Sequence, residues 1–462
     1  MILQNKASTT ILKSGMLEIS LSLFVLASCL CLSCRSSRQP EKQSVAYDNA
    51  WASPYRTSVR YPHALENDQG NFLYVLNKTA WAYFACADPA AVLAHTKKHG
   101  ANVIRVCLEG TPYFKELNYD LWPWGGTRAQ PDYASFNEPY WNRVEERIRL
   151  AGAQGIGIDL VLYFTLKPEK AESAAQKKYW DYAIERLGKY SNILAWEIMN
   201  EEIGNEGFQD IAGAYFKQND PYHHPVISSD GTTEDALWPH KSWMDLAVVH
   251  TCTGNQPQYD LADWYLSIAR NTGQYGKPAF NNESGREMRH KNDDPIFRRK
   301  QGWVFANSGC FWTWHSWDGC EGINDTTYFA AGYESLVPMV NYYQSIPFWK
   351  MEQNFTLFKL DADNLVSAVM ATPDRDLAVI YCAAKQSQQR VPALKAAVRI
   401  KNGTYAVRFL EPATLKVVQA AEFRSKGLQN LTELALPPFQ DDLLIEITAE
   451  TAEKKSLIEG TR

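Results

Sequence analysis

Two apolar runs in this chain of 462 residues end in glutamate, and a pair of carboxylates is the smallest apparatus that can cleave a glycosidic bond. One carboxyl protonates the departing oxygen while the other attacks the sugar or activates water. The first run, residues 193–202 (ILAWEIMNEE), is short and apolar enough for a strand buried on both faces, and it stops abruptly in Asn200, Glu201 and Glu202. The second, residues 277–282 (KPAFNN), is closed by Glu283 just before Ser284-Gly285. Asn-Glu occurs four times, at 137–138, 200–201, 205–206 and 282–283, so the dipeptide alone says nothing. Position separates the copies, because only Glu201 and Glu283 terminate strand-like runs. The competing reading is that Glu201 and Glu202 simply open a solvated loop.

For two strand-end carboxylates to meet, their strands must share one edge of a sheet, and the surrounding pattern supplies such a sheet. Residues 61–74 read as a hairpin turning at 66–70 and leading into a strand over 72–76. Helix 89–99, strand 102–108 and a loop rich in Trp, Pro and Gly around Trp122 and Trp124 follow. The next helix opens with Ser135 and Glu138 at capping-box spacing and carries Tyr140, Val144 and Ile148 on one face. Strand 156–164, helix 177–190, the strand ending in Glu201, helix 208–217 and strand 225–229 continue the alternation. A short helical piece, strand 246–250, helix 260–272, strand 278–282, helix 295–306, strand 310–314 and helix 329–343 complete it. Eight strand–helix units predict an α/β fold, a (β/α)8 TIM barrel, with Glu201 ending the fourth strand and Glu283 the seventh, both at one mouth. An open doubly wound sheet is the alternative, but no Gly-rich phosphate loop follows any strand.

After residue 350 the pattern changes to short alternating runs separated by turns such as Asn402-Gly403, which predicts a small C-terminal antiparallel β-sandwich over 351–450 and a charged tail over 451–462. The barrel is expected over 61–350. Residues 1–34 read as an export signal, with Lys6 and Lys13 before the apolar run 19–32, and residues 35–60 as a polar tether. Leu26-Ala27-Ser28-Cys29 resembles the bacterial lipobox, in which the cysteine becomes the lipidated first residue. This implies an exported bacterial lipoprotein, periplasmic or on the outer membrane or cell surface, touching a membrane only through that lipid anchor.

Lys+Arg 47 against Asp+Glu 52 leaves no basic patch of the kind nucleic acid requires. Trp 15 and Tyr 24 exceed what a core needs and suit stacking on the apolar faces of sugars. Beyond the leader, Cys86, Cys107, Cys252, Cys310, Cys320 and Cys382 match no zinc or haem spacing, although Cys310 and Cys320 bracket one loop and could pair. His223-His224 and the pair His95, His99 lack carboxylates at ligand spacing, so neither metal nor cofactor is expected.

Strand-four Asn-Glu, strand-seven Glu and a Trp-bearing strand eight resemble the clan A glycoside hydrolases, retaining enzymes on a (β/α)8 barrel. Residues 100–110 (GANVIRVCLEG) resemble the clan's second strand, and residues 76–81 (LNKTAW) a bacterial subgroup in which a small β-domain follows the barrel. Asn77 stands where that subgroup usually has Asp, and Glu202 where the clan often has Pro. The resemblance implies Glu201 as general acid/base, Glu283 as nucleophile, and Asn200 as the amide that holds the hydroxyl beside the reacting carbon. Arg105 is then a donor that keeps Glu283 ionised, with a structural salt bridge as its rival reading. His250 ends strand six where the clan keeps a site histidine, against the reading of a satisfied structural residue. Trp312 and Trp314 share a face by alternation, so one of them, by preference Trp314, is expected to floor a sugar subsite; Trp81 is a second wall or a core-packing residue, and Tyr163 and the Trp122, Trp124 loop are further candidates. The expected partner is an oligo- or polysaccharide from a plant or host. The rival is a carbohydrate-binding lipoprotein that keeps the barrel without turnover.

Overall fold

A computed structural model of the chain describes residue 47 and residues 50–109, 121–164, 174–201, 203–231, 234–252, 263–285, 294–315 and 333–450. The expected leader, Cys29 and its lipobox, Glu202, Cys320 and the charged tail lie outside the described residues. No described helix is long and apolar enough to cross a membrane.

Eight parallel strands form the barrel sheet: β1 (Leu76–Thr79), β2 (Val103–Cys107), β3 (Gly157–Tyr163), β4 (Ile193–Met199), β5 (Val226–Ile227), β6 (Ala247–Cys252), β7 (Ala279–Gly285) and β8 (Cys310–Trp314). Their order is β5-β4-β3-β2-β1-β8-β7-β6, each neighbour paired in parallel. Between β5 and β6 the ring is closed by Asp245, whose N–H donates to the Val226 carbonyl and whose Oδ2 accepts from the Val226 N–H. Around the sheet lie α1 (Pro89–Lys98), α2 (Glu138–Ala153), α3 (Ala174–Leu187), α4 (Glu206–Asn219), α5 (Asp263–Thr272), α6 (Pro295–Ala306) and α7 (Val337–Ser345). The fold is therefore the expected (β/α)8 barrel, with four local differences.

The first strand begins at Leu76, not Phe72. Phe72–Leu73 pairs antiparallel with Leu65–Glu66, which pairs with Arg56–Thr57, in a small separate sheet. An apolar-run reading misplaces this strand because β1, LNKT, carries Asn77, Lys78 and Thr79, all buried. α2 is capped by Asn137, whose side chain accepts from the Tyr140 N–H, rather than by a Ser135–Glu138 box. Ser135 is unavailable because it lies in the strand Gln130–Phe136, which pairs with Trp124–Thr127 as a hairpin where a plain loop is expected. Among the described residues between β5 and β6 there is no helix, only turns and bends.

The C-terminal region is a β-sandwich. A six-stranded antiparallel sheet (Glu352–Gln353, Leu365–Ala371, Leu377–Ala384, Asp442–Ala449, Gly403–Leu410 and Val417–Ser425) packs against Phe358–Lys359, Leu394–Val398 and Thr432–Leu436. Val369, Ile380, Phe409, Ile445 and Ile447 fill the core between them. Helix α6 carries the join to the barrel. Arg299 forks onto Asp442, Asn307 donates to the Ala368 and Val379 carbonyls, and Trp303 stacks on Tyr381 at 5.7 Å and 13°.

Candidate active site

Strands β2, β3 and β4 each embed one ionisable residue in an apolar run: Arg105 in VIRVC, Asp159 in GIDLVLY and Glu197 in ILAWEIM. All three are fully buried, so burial is tolerable only if each finds a partner. Arg105 supplies it. Its Nε donates to Glu197 Oε2 at 2.8 Å and its Nη2 to Glu197 Oε1 at 2.5 Å, a two-pronged pair across the barrel axis. Asp159 Oδ2 lies 4.0 Å from the same Nε and accepts from the Asn77 amide at 3.5 Å. Glu197 Oε1 also accepts from the Ser229 hydroxyl at 2.7 Å and the Asn282 amide at 3.1 Å.

From this floor the guanidinium reaches the mouth. Nη1 donates to Glu283 Oε2 at 2.5 Å, and Nη2 to Asn200 Oδ1 at 2.8 Å and Ser229 Oγ at 3.1 Å. Strict alternation on β7 would send Asn282 and Glu283 to opposite faces. The ladder instead slips by one residue, between Asn281 and Glu283 against β6 and between Asn281 and Ser284 against β8. This bulge lets Asn282 meet Glu197 and Glu283 meet Arg105, both on the inner face.

At the end of β4, Glu201 adopts φ 54°, a left-handed conformation that costs a non-glycine residue about 1–3 kcal/mol. The turn brings its carboxylate over the mouth to His250. His250 Nε2 lies 3.1 Å from Glu201 Oε1 and 3.5 Å from Glu283 Oε1. One oxygen of Glu201, one of Glu283 and an imidazole nitrogen all lie within 4.8 Å of one another. Glu201 keeps 45% of its side chain exposed where Glu283 keeps 7%, so only the former is open to solvent.

The surroundings treat the groups differently. Burial pushes Glu283 up, but His315, His250 and Arg105 outweigh it and hold the carboxyl well below the usual carboxylate range. Burial also pushes His250 down, and the charges of Glu283 and Glu201 reverse this to leave its pKa at about 9. Asp159 goes the other way, raised well above the carboxylate range by burial and by Glu197, with Arg105 opposing. The site thus holds an ionised Glu283 and a protonated His250 near pH 7, beside an Asp159 whose carboxyl is shifted toward its neutral form.

Six expected site residues, Glu201, Glu283, Asn200, Arg105, His250 and Trp81, come together here. The Trp81 ring lies 4.6 Å from the Arg105 guanidinium carbon and meets Phe164 edge-on at 4.9 Å, covering the arginine. Trp312 and Trp314 do share a face, with rings 5.9 Å apart, but it is the helix-facing one. A Cβ on Gly302 of α6 would come within 3.4 Å of Trp312, and Arg298 of α6 lies over the Trp314 ring. The sugar-floor placement expected for this pair is therefore corrected, and His315, next along, takes the inner face. Its Nδ1 lies 3.0 Å from Thr79 Oγ1 and 3.6 Å from Glu283 Oε1. Tyr163 likewise turns to the helix layer, where its hydroxyl donates to Gln176 and accepts from the Trp180 indole. Cys310 is a buried free thiol.

Glu197, Asp159, Ser229, Asn282 and His315 were not among the expected residues. For Glu197 and Asp159 a signal exists, namely an ionisable side chain in the middle of a strand too apolar to be solvated. For Asn282 and His315 there is none, because a bulge and the choice of strand face decide where they point.

A family model described as "Apiosidase-like, catalytic domain" matches residues 61–308. A search of curated proteins finds no match. Among solved structures, a glycoside hydrolase family 5 protein from Bacteroides vulgatus ATCC 8482 is similar at 14% identity and TM-score 0.65, over 88% of this chain and 95% of that one. A second, described as a putative glycoside hydrolase from the same organism, is 15% identical with a TM-score of 0.64, over 86% and 82%. A third, described as a glycoside hydrolase, is 13% identical with the same score, over 88% and 99%. At these identities the likeness is one of fold.

Proposed function

This chain belongs to the apiosidase-like catalytic-domain family and is a glycoside hydrolase, and from that premise we propose that it cleaves its substrate with retention, by double displacement between Glu201 and Glu283. The observation that carries the reading is the spacing of the two carboxylates, with one oxygen of each inside the same 4.8 Å cluster around His250 Nε2. Retaining enzymes keep these groups about 5–5.5 Å apart and inverting enzymes about 6.5–9.5 Å, to leave room for water.

Glu283, held ionised by His250, His315 and Arg105, forms the bond to the anomeric carbon. Glu201, solvent-open above it, gives its proton to the leaving oxygen as the glycosidic C–O bond breaks. The same carboxylate then takes a proton from water, whose oxygen displaces Glu283 and regenerates both groups. Arg105 fixes Asn200 by its amide oxygen, which leaves the NH2 to donate to a sugar hydroxyl and to tighten that bond in the transition state. Trp81 walls the sugar over Arg105. The substrate class is a plant or host glycan met outside the cell by a lipoprotein anchored through Cys29, and the family description places apiosides first among those to try.

The test is a panel of aryl glycosides, apiosides included, and polysaccharides, with the anomer of the first product followed by NMR. A retained product supports the reading, and an inverted one overturns Glu283 as nucleophile. Tight glycan binding without hydrolysis would favour the non-catalytic alternative. Glu201, His250 and Glu283 also form a three-ligand cluster of a size that suits a divalent cation. Full activity after exhaustive chelation is expected, and its loss would replace double displacement by metal-assisted hydrolysis.

A further inference from the structure

The geometry points to Glu197 as a positioning carboxylate, which occupies the two-pronged edge of Arg105 and so restricts that guanidinium to a single end-on contact with Glu283. This deepens the retaining reading and rests on it. Glu197 sits beneath Arg105 on β4, fully buried, and the groups that hydrogen-bond to its carboxylate among the described residues are all donors: Arg105 Nε and Nη2, the Ser229 hydroxyl and the Asn282 amide. Those donors come from β2, β7 and the segment after β5, so three separate parts of the barrel converge on one carboxylate that substrate cannot reach.

Its consequence lies in what it leaves Arg105 able to do. A guanidinium binds a carboxylate best through two parallel N–H bonds. Were that fork given to Glu283, both nucleophile oxygens would be engaged and the carboxylate would be over-stabilised relative to the transition state, in which its charge is spent on the sugar. With the fork taken by Glu197, Glu283 receives Nη1 alone, through Oε2, and its Oε1 faces His250 and His315 at 3.5 and 3.6 Å.

The test is a double-mutant cycle on an aryl glycoside. Glu197→Gln keeps the shape and removes the charge, and it is expected to lower kcat about 30-fold with KM within about threefold. In an Arg105→Lys background, which has no fork to redirect, the same substitution is expected to cost less than about threefold, whereas a merely structural glutamate would cost the same in both backgrounds. If Glu197→Gln does not fold, Ser229→Ala, which removes one donor to Glu197, replaces it. A kcat fall of about threefold or more in the wild type and none in Arg105→Lys is then expected. Equal falls in the two backgrounds, or a folded Glu197→Gln with kcat within threefold of wild type, overturn the inference. A wild-type protein that turns over no glycoside overturns the retaining reading instead.

Discussion

Two clusters of charge lie inside this molecule, one fully buried beneath the barrel mouth and one largely buried where α6 meets the C-terminal sheet. In the second, charges pair one to one. Arg299 forks onto Asp442, which also accepts from the Tyr381 hydroxyl, and Lys300 reaches Asp441 at 3.3 Å with the Ala384 and Gln386 carbonyls beside it. Each cation there has its own anion, and the arrangement is closed. At the mouth a single guanidinium serves Glu197 and Glu283, with Asp159 at 4.0 Å, and the surplus of acid is met by raising the pKa of one imidazole, His250, and of one carboxyl, Asp159. Charge stoichiometry separates the site from the clasp, together with one open edge at Glu201.

If the contrast is right, substitutions in the two clusters fail in different ways. Glu283→Gln and Glu201→Gln should each lower kcat/KM about 10³- to 10⁵-fold, about 4–7 kcal/mol of transition-state stabilisation, while leaving the denaturation midpoint within a few degrees. Full activity in either folded variant would break the comparison at its catalytic end. Arg299→Met should do the reverse, costing about 3–5 kcal/mol of stability by stranding Asp442, with kcat unchanged below the new midpoint in urea titrations. A loss of kcat at full stability would make the clasp part of the site.

The next effect is one of pH. His250 has its pKa raised to about 9 from 6.5, so its pairing contributes stability that is complete below about pH 6.5 and is lost as pH rises through about 9. The expected loss is on the order of 3 kcal/mol at most, read as a falling melting temperature between pH 7 and 10. His250→Asn should flatten that slope, and an unchanged slope would place the titration elsewhere. Smallest is Tyr163→Phe, which removes a hydroxyl shared by Gln176 and Trp180 and should cost about 1 kcal/mol of stability with no change in KM. A raised KM would return Tyr163 to the sugar.

How far the site was legible follows from how each residue gets there. Glu201 just follows β4, and Glu283 and His250 lie two residues before the ends of β7 and β6; a closed parallel barrel gathers those ends, so counting apolar runs brings Glu201 and Glu283 together, while His250 was expected by the resemblance. Arg105 was readable through the resemblance of residues 100–110 to the clan's second strand and its place near that strand's end. Trp312 and Trp314 were readable as a pair but not as a face, since alternation fixes which residues agree and not which way they point. The shift of the first strand from Phe72 to Leu76 has the same origin as the site. Asn77 and Thr79 are polar because they face the chemistry, and polarity hides a strand from a search for apolar runs.

The periodicity of the chain determined by itself the barrel, the β-sandwich after it, and the two strands on which an acidic pair stands, because burial of apolar faces is a local requirement written in residue order. Tertiary structure alone decided that β7 bulges to turn Asn282 and Glu283 inward together, that Glu197 rather than Glu283 holds the fork of Arg105, and that His315 instead of Trp314 attends Glu283. Those outcomes rest on which donors and acceptors meet across the barrel axis after the ring closes. Their energies depend on distances of a few ångströms between residues 32 to 178 apart in sequence, which no local pattern encodes.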